Sequence, residues 1–116
     1  MSVKHTARSD SFITLWAAED SGYRGRVETA GRYPESRIRG HLEYYNQGCD
    51  SIVVPCDVVE RLSTPVPKGF FDGDFGNWVK NNRNNWQVLI ASAIENPKHQ
   101  PKPVYRGAKR REYEDA

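Results

Sequence analysis

The apolar residues are unevenly spread along this chain. The densest run is Ile52-Val53-Val54, followed past Pro55 and Cys56 by Val58-Val59. A short continuous run of β-branched residues ending at a proline reads as a buried strand, here 51–54, that turns at Pro55 into a short helix over 56–62. A core organised around this stretch is the first expectation. Upstream, Ser11 to Trp16 places two β-branched and two aromatic residues in six positions. It reads as the first strand, with Phe12, Thr14 and Trp16 on one face and Ile13 and Leu15 on the other, so both faces are expected to be at least partly covered. The turn signals Ser21-Gly22 and Ala30-Gly31 bracket Tyr23 to Thr29. That segment reads as a second strand, antiparallel to the first and joined to it by a hairpin turn.

The period then changes. Ile38, Leu42 and Tyr45 follow one another at spacings of four and three behind Pro34, which suits the first turn of a helix. A helix is expected over 34–46, weakened by about 1 kcal/mol at Gly40 and stopped near Gly48. Arg37, His41 and Tyr44 form an adjoining stripe of the same helix. Residues 63–76 read as a loop, but Phe70, Phe71 and Phe75 within it call for anchoring. Trp78-Val79 reads as a separate turn. Trp86, Leu89 or Ile90, and Ala93 or Ile94 recur at helical spacing, so the last helix starts near Asn84 behind an asparagine cap and ends before Pro97. The polar residues 1–10 read as a frayed N-terminus. Residues 97–116 lack apolar periodicity and carry a basic block, Lys98 to Arg111, followed by Glu112, Glu114 and Asp115. They read as a flexible basic tail. The expectation is a single α+β domain over 11–96, with a small antiparallel sheet of about three strands packed with two to three helices.

Composition narrows the function classes. At 116 residues the chain makes one domain, able to bury roughly two thirds of its unfolded surface without metals or disulfides. A net charge of +2 permits contact with nucleic acid without arguing for it. No run approaches the ~20 apolar residues of a membrane span, and MSVKHTARSD holds no apolar leader core, so the cytoplasm is the expected compartment. Cys49 and Cys56 alone cannot make a zinc site; a disulfide between them is the alternative to the favoured reading, in which both are reduced thiols with Cys56 packed and inert.

Chemistry is concentrated in arginine and aromatic residues. Tyr23, Arg24, Arg26, Arg32, Tyr33, Arg37 and Arg39 fall within seventeen positions. Guanidinium groups pair with phosphates or carboxylates through two parallel hydrogen bonds, and phenol rings stack on bases or guanidinium planes. The set suits an acidic protein surface, a nucleic-acid backbone or a nucleotide; the alternative is a solvated face with salt bridges to Glu28, Glu35 and Glu43. Phe70, Phe71 and Trp78 are candidate aromatic anchors. The asparagines of KNNRNNW read as caps and turns. Asp72-Gly73-Asp74 lacks the spacing of a calcium loop and reads as a turn. The histidines His5, His41 and His99 lack ligand spacing, so neither metal nor cofactor is expected. No nucleophile elbow, phosphate-binding glycine loop or zincin motif is present, and no enzyme is expected; a reading built on Cys56 or His41 stands last.

The combination of LWAAEDSGYRGR, AGRY, IVVPCDVVERL and NNRNNWQVLIAS resembles small accessory proteins encoded by bacteriophages and prophages, over about residues 11–95. The resemblance implies a class and carries over no site residues. Proteins of that class often act by binding, and many block a host defence complex or sequester its nucleotide signal. The expected function is therefore non-enzymatic inhibition of a bacterial defence system, anti-CRISPR-like or related, by binding a protein or ribonucleoprotein in the host cytoplasm. The alternative is a nucleic-acid- or nucleotide-binding protein that uses the same arginines and tyrosines. Unpaired strand edges and the aromatics of 70–79 leave a homodimer as a further option.

Overall fold

Ile13 and Leu15, one face of the first strand, are 0% and 5% exposed in the computed structural model, and Phe12, Thr14 and Trp16 on the other face are half-buried, so both faces are covered and the first lies deeper. The structure describes residues 1–17, 22–24, 26–65 and 76–108, with Tyr23 and Thr29 described by their backbone. The alternation along 11–16 thus sets which residues enter the core. The ladder itself is shorter than the pattern. Strand β1 is Leu15–Trp16 and β2 is Tyr23–Arg24, antiparallel, with Leu15 opposite Arg24 and Trp16 opposite Tyr23. Phe12 makes one isolated bridge to Lys80 instead. Beyond β2 the chain does not continue as a strand to Thr29; it closes into a 3-10 turn over Val27–Thr29.

The expected helix over 34–46 is two short helices. These are α1, Glu35–Arg39, and α2, Leu42–Tyr45, separated at Gly40 and His41. Gly40 costs the helix there, and the backbone of His41 has left helical angles (φ −143°). The pattern at 56–62 is realised as written: α3 spans Cys56–Leu62, entered through Pro55, whose φ of −56° lies where a proline ring holds it. The expected loop at 63–76 begins as strand, and a second strand follows it: β3, Ser63–Pro65, pairs antiparallel with β4, Asn77–Val79, so Trp78-Val79 is strand and not turn. Helix α4 is Arg83–Ala91, capped by the Asn82 side chain, which accepts from the Asn85 N–H at 2.8 Å. The fold is α+β. Among the described residues it holds two separate two-stranded antiparallel sheets where about three strands in one sheet were expected.

Residues 51–54 are not a strand. Ile52 is 1% exposed, as the apolar run demands, but its backbone finds other partners. The Met1 amine donates to the Ile52 carbonyl at 3.0 Å, and Ile52 N–H donates back to Met1 O at 3.2 Å. Val53 N–H donates to Asn46 Oδ1 at 2.9 Å, and Ile94 N–H donates to Val53 O at 3.1 Å. Every buried backbone group needs a partner, and here irregular segments and one amide side chain supply it in place of a ladder.

Both termini correct the sequence reading. Residues 1–10 are not frayed: Ser2, Val3 and Thr6 are buried, with Val3 in the main apolar cluster. Thr6 Oγ1 donates to Ser2 O and accepts from Thr14 N–H, at 2.8 and 3.0 Å. The part of the tail that is described, up to 108, is also packed. Val104 is 3% exposed in the same cluster, and Arg8 joins the two ends by donating to the carbonyls of Tyr105 and Ala108 at 3.2 and 2.6 Å. The core therefore runs from Val3 through Ile13, Ile52, Val79, Trp86 and Leu89 to Val104. No described helix is long and apolar enough to cross a membrane.

Candidate functional site

Four aromatic rings meet where the β1–β2 ladder faces the α1–α2 pair. Trp16 ends β1, Tyr33 leads into α1, and Tyr44 and Tyr45 close α2. Tyr44 and Tyr45, adjacent in α2, both reach Trp16. Ring centroids lie 5.6 Å apart for Trp16–Tyr44, Trp16–Tyr45 and Tyr33–Tyr45, and 4.9 Å apart for Tyr44–Tyr45. All meet edge to face, the arrangement the ring quadrupole favours. Tyr45 is buried and its neighbour Tyr44 is 55% exposed.

Arg37 is held over this cluster by two contacts. Its guanidinium carbon lies 5.2 Å from the Tyr33 ring centre, and its Nε donates to Tyr45 Oη at 3.1 Å. Tyr33 is fixed in turn by donating its hydroxyl to the Ala17 carbonyl. A cation on a ring adds about 0.5–1 kcal/mol at exposed sites. Its larger effect here is to present a planar cationic group and a phenol, Tyr44, on one surface.

Beside the cluster lies a half-open pocket of about 130 Å³. Leu15, Val27, Ile38 and Ile52, all buried, form its apolar depth, and Trp16, Tyr33 and Tyr45 share its wall with the aromatic cluster. Arg32 and Cys56, both exposed, stand at its rim. Arg32 Nη2 pairs with Glu60 Oε1 at 2.6 Å, and its pKa is raised, first by that hydrogen bond and then by the neighbouring Cys56. The Cys56 thiol is exposed and free, as is that of Cys49, which corrects the expectation of a packed Cys56.

The predicted arginine–aromatic set is thus divided. Arg32, Tyr33 and Arg37 come together. Tyr23 and Arg24 lie on β2, with Arg24 exposed. Arg26 belongs to another place: it bridges Trp78 of β4, and Trp78 stacks on Phe12 with centroids 5.2 Å apart. Its side chain runs across Gly76, where an added Cβ would lie 2.7 Å from Arg26 Cδ. Glu28 secures that corner by accepting from the Asn77 backbone and side-chain N–H groups at 2.9 Å. Burial disfavours its charge, but the Asn77 hydrogen bonds outweigh that and hold its carboxyl below the usual range. Arg39 pairs with Glu35 and Glu95, both at 2.9 Å, on the outer face of α1. Phe70, Phe71 and Asp72-Gly73-Asp74 lie outside the described residues. Among the described residues, no three His, Cys, Asp or Glu side chains gather as a metal would need.

The sequence reading missed Trp16, Tyr44 and Tyr45 as site residues. The signal was present in the Tyr-Tyr doublet beside Arg37 and His41 and in the Phe12, Thr14 and Trp16 face of the first strand. Compared with known proteins, the chain matches no family model, no curated protein and no solved structure.

Proposed function

We propose that this chain is a non-enzymatic phage accessory protein that inhibits a bacterial defence system by binding a protein or ribonucleoprotein target. Its recognition face is the aromatic–guanidinium cluster of Trp16, Tyr33, Arg37 and Tyr44, flanked by Arg32. The observation that carries the binding face is Tyr44: a ring 55% exposed to solvent and packed on the two rings of Trp16 and Tyr45, in a cluster where Tyr33 and Tyr45 hold the Arg37 guanidinium. Tyrosine, tryptophan and arginine dominate binding hot spots: the two aromatics present large area at little entropic cost, and arginine adds a planar fork of donors. The class of target comes from the resemblance to phage accessory proteins.

A second reading, nucleotide or nucleic-acid binding, is favoured by the Arg37–Tyr33 pair, since a guanidinium over a ring can also hold a phosphate beside a stacked base. One experiment separates the two. Tagged protein is incubated in bacterial lysate and the eluate is weighed by native mass spectrometry. A protein partner at fixed stoichiometry, lost with Tyr44→Ala or Arg37→Ala at an unchanged melting temperature, supports the inhibitor. An added mass of nucleotide size, or nuclease-sensitive material with steep salt dependence, supports the second reading. A partner retained by both variants contradicts the proposed face.

A further inference from the structure

The pocket shares Trp16, Tyr33 and Arg32 with the face proposed above, but its apolar depth has a small-molecule chemistry of its own that does not depend on that reading. We infer that it is a binding site for a small apolar monocarboxylate, with one ring or about six carbons inside the pocket and the carboxylate on Arg32 at the rim. Size sets the first limit. The space is about 130 Å³, and a dry apolar cavity of about 150 Å³ is filled by one benzene ring. A long acyl chain or a nucleobase with its sugar exceeds it.

The lining sets the second limit. Leu15, Ile38 and Ile52 at the bottom offer hydrocarbon, so the inserted part is apolar. The pocket has a strongly basic group at its opening, in Arg32. A planar guanidinium has five donors and meets carboxylates edge to edge. Glu60 takes Nη2 at 2.6 Å. Both partners of that pair are about half exposed, 53% and 51%, so the pair is solvent-screened and easily shared or exchanged. A dianion at the same place would face the Glu60 carboxylate at short range, which favours a single charge. The exposed Cys56 thiol lines the same pocket and adds a weak donor at its rim.

Phenylacetate is the test probe and 2-phenylethanol its neutral match in shape. Calorimetry reads affinity, and the indole N–H resonance of Trp16, which lines the pocket, reads location. Phenylacetate is expected to bind saturably with Kd of roughly 1 mM or tighter, as its ten heavy atoms allow, and to shift the Trp16 resonance. The alcohol is expected to bind about tenfold more weakly. Arg32→Gln, at an exposed position that leaves the fold intact, should weaken phenylacetate about tenfold and leave the alcohol unchanged. Ala30→Leu, which fills the pocket, should abolish both; its melting curve shows whether it folds, and Arg32→Gln decides if it does not. Absence of saturable phenylacetate binding to the wild type overturns the inference. So does equal affinity for acid and alcohol in the wild type, or a shift confined to residues away from Trp16.

Discussion

Trp86 and Trp16 show two uses of the same side chain. Trp86 is 0% exposed, its indole N–H donates to Asn81 Oδ1, and it sits among Ile13, Val79 and Leu89 at the same 0% exposure. Trp16 is half-buried, meets other aromatics by its edges and borders an open pocket. The first is surrounded by parts of the chain far apart in sequence and holds them together. The second is supported from behind and left accessible in front. The contrast teaches that the apolar content of this chain serves two ends: a frame that closes around Trp86, and a face that is rigid without being closed. Aromatic residues suit such a face because each ring loses few rotamers when fixed and still presents a large surface.

The largest effect should come from the frame. Trp86→Ala leaves a cavity with no solvent path and should cost about 3–5 kcal/mol in chemical denaturation; a loss under about 1 kcal/mol would show that the frame is elsewhere. Next is a pH effect at the packed N-terminus. Burial lowers the Met1 amine from 8.0 to about 5. Between those values the unfolded chain carries the extra proton, so in the chain beginning at Met1 stability should rise with pH across that window, by up to about 4 kcal/mol. An N-terminal extension should both destabilise the protein and flatten that slope; an unchanged slope would refute the buried amine.

Gly48→Ala should follow. Gly48 has φ +98°, and an added Cβ would lie 1.7 Å from the His99 carbonyl oxygen, so the segment after Pro97 must move. A cost of about 1–3 kcal/mol is expected, with faster amide exchange over 97–108. If exchange there is unchanged, that segment is not docked as described. The face should respond oppositely. Tyr44→Ala should cost no more than about 1 kcal/mol, and Arg32→Gln should leave the unfolding midpoint where it is, since the Arg32–Glu60 pair is solvent-screened. A large loss of stability from either would erase the distinction between frame and face.

What the sequence made legible was local. Helix α3 and the Asn82 cap of α4 follow from a proline entry, an amide cap and apolar spacing, all within a few residues. The burial of Ile52 followed from its apolar run, and the alternation along 11–16 set Ile13 and Leu15 apart from Phe12, Thr14 and Trp16 without telling which face lies deeper. The strand expected at 51–54 failed because its backbone partners are Met1, Asn46 and Ile94, too distant in sequence for the run itself to reveal. The termini were misread for a similar reason: single apolar residues, Val3 and Val104, make no periodic pattern, yet each completes the core. At the site, the arginine set looked continuous between residues 23 and 37. The 3-10 turn at Val27–Thr29 and the approach of β4 send Arg26 to Trp78, while Arg32 and Arg37 go to the pocket and the tyrosines. Convergence in space depends on those turns, which composition does not encode.

The most direct test of the account is a side-by-side capture from bacterial lysate with the wild type and Tyr44→Ala, each weighed by native mass spectrometry and each melted alone. The account predicts a protein partner at fixed stoichiometry on the wild type, its loss from Tyr44→Ala, and nearly coincident melting curves. A partner that Tyr44→Ala retains, or loses only because the variant unfolds, would contradict the claim that this aromatic–guanidinium face is where the protein acts.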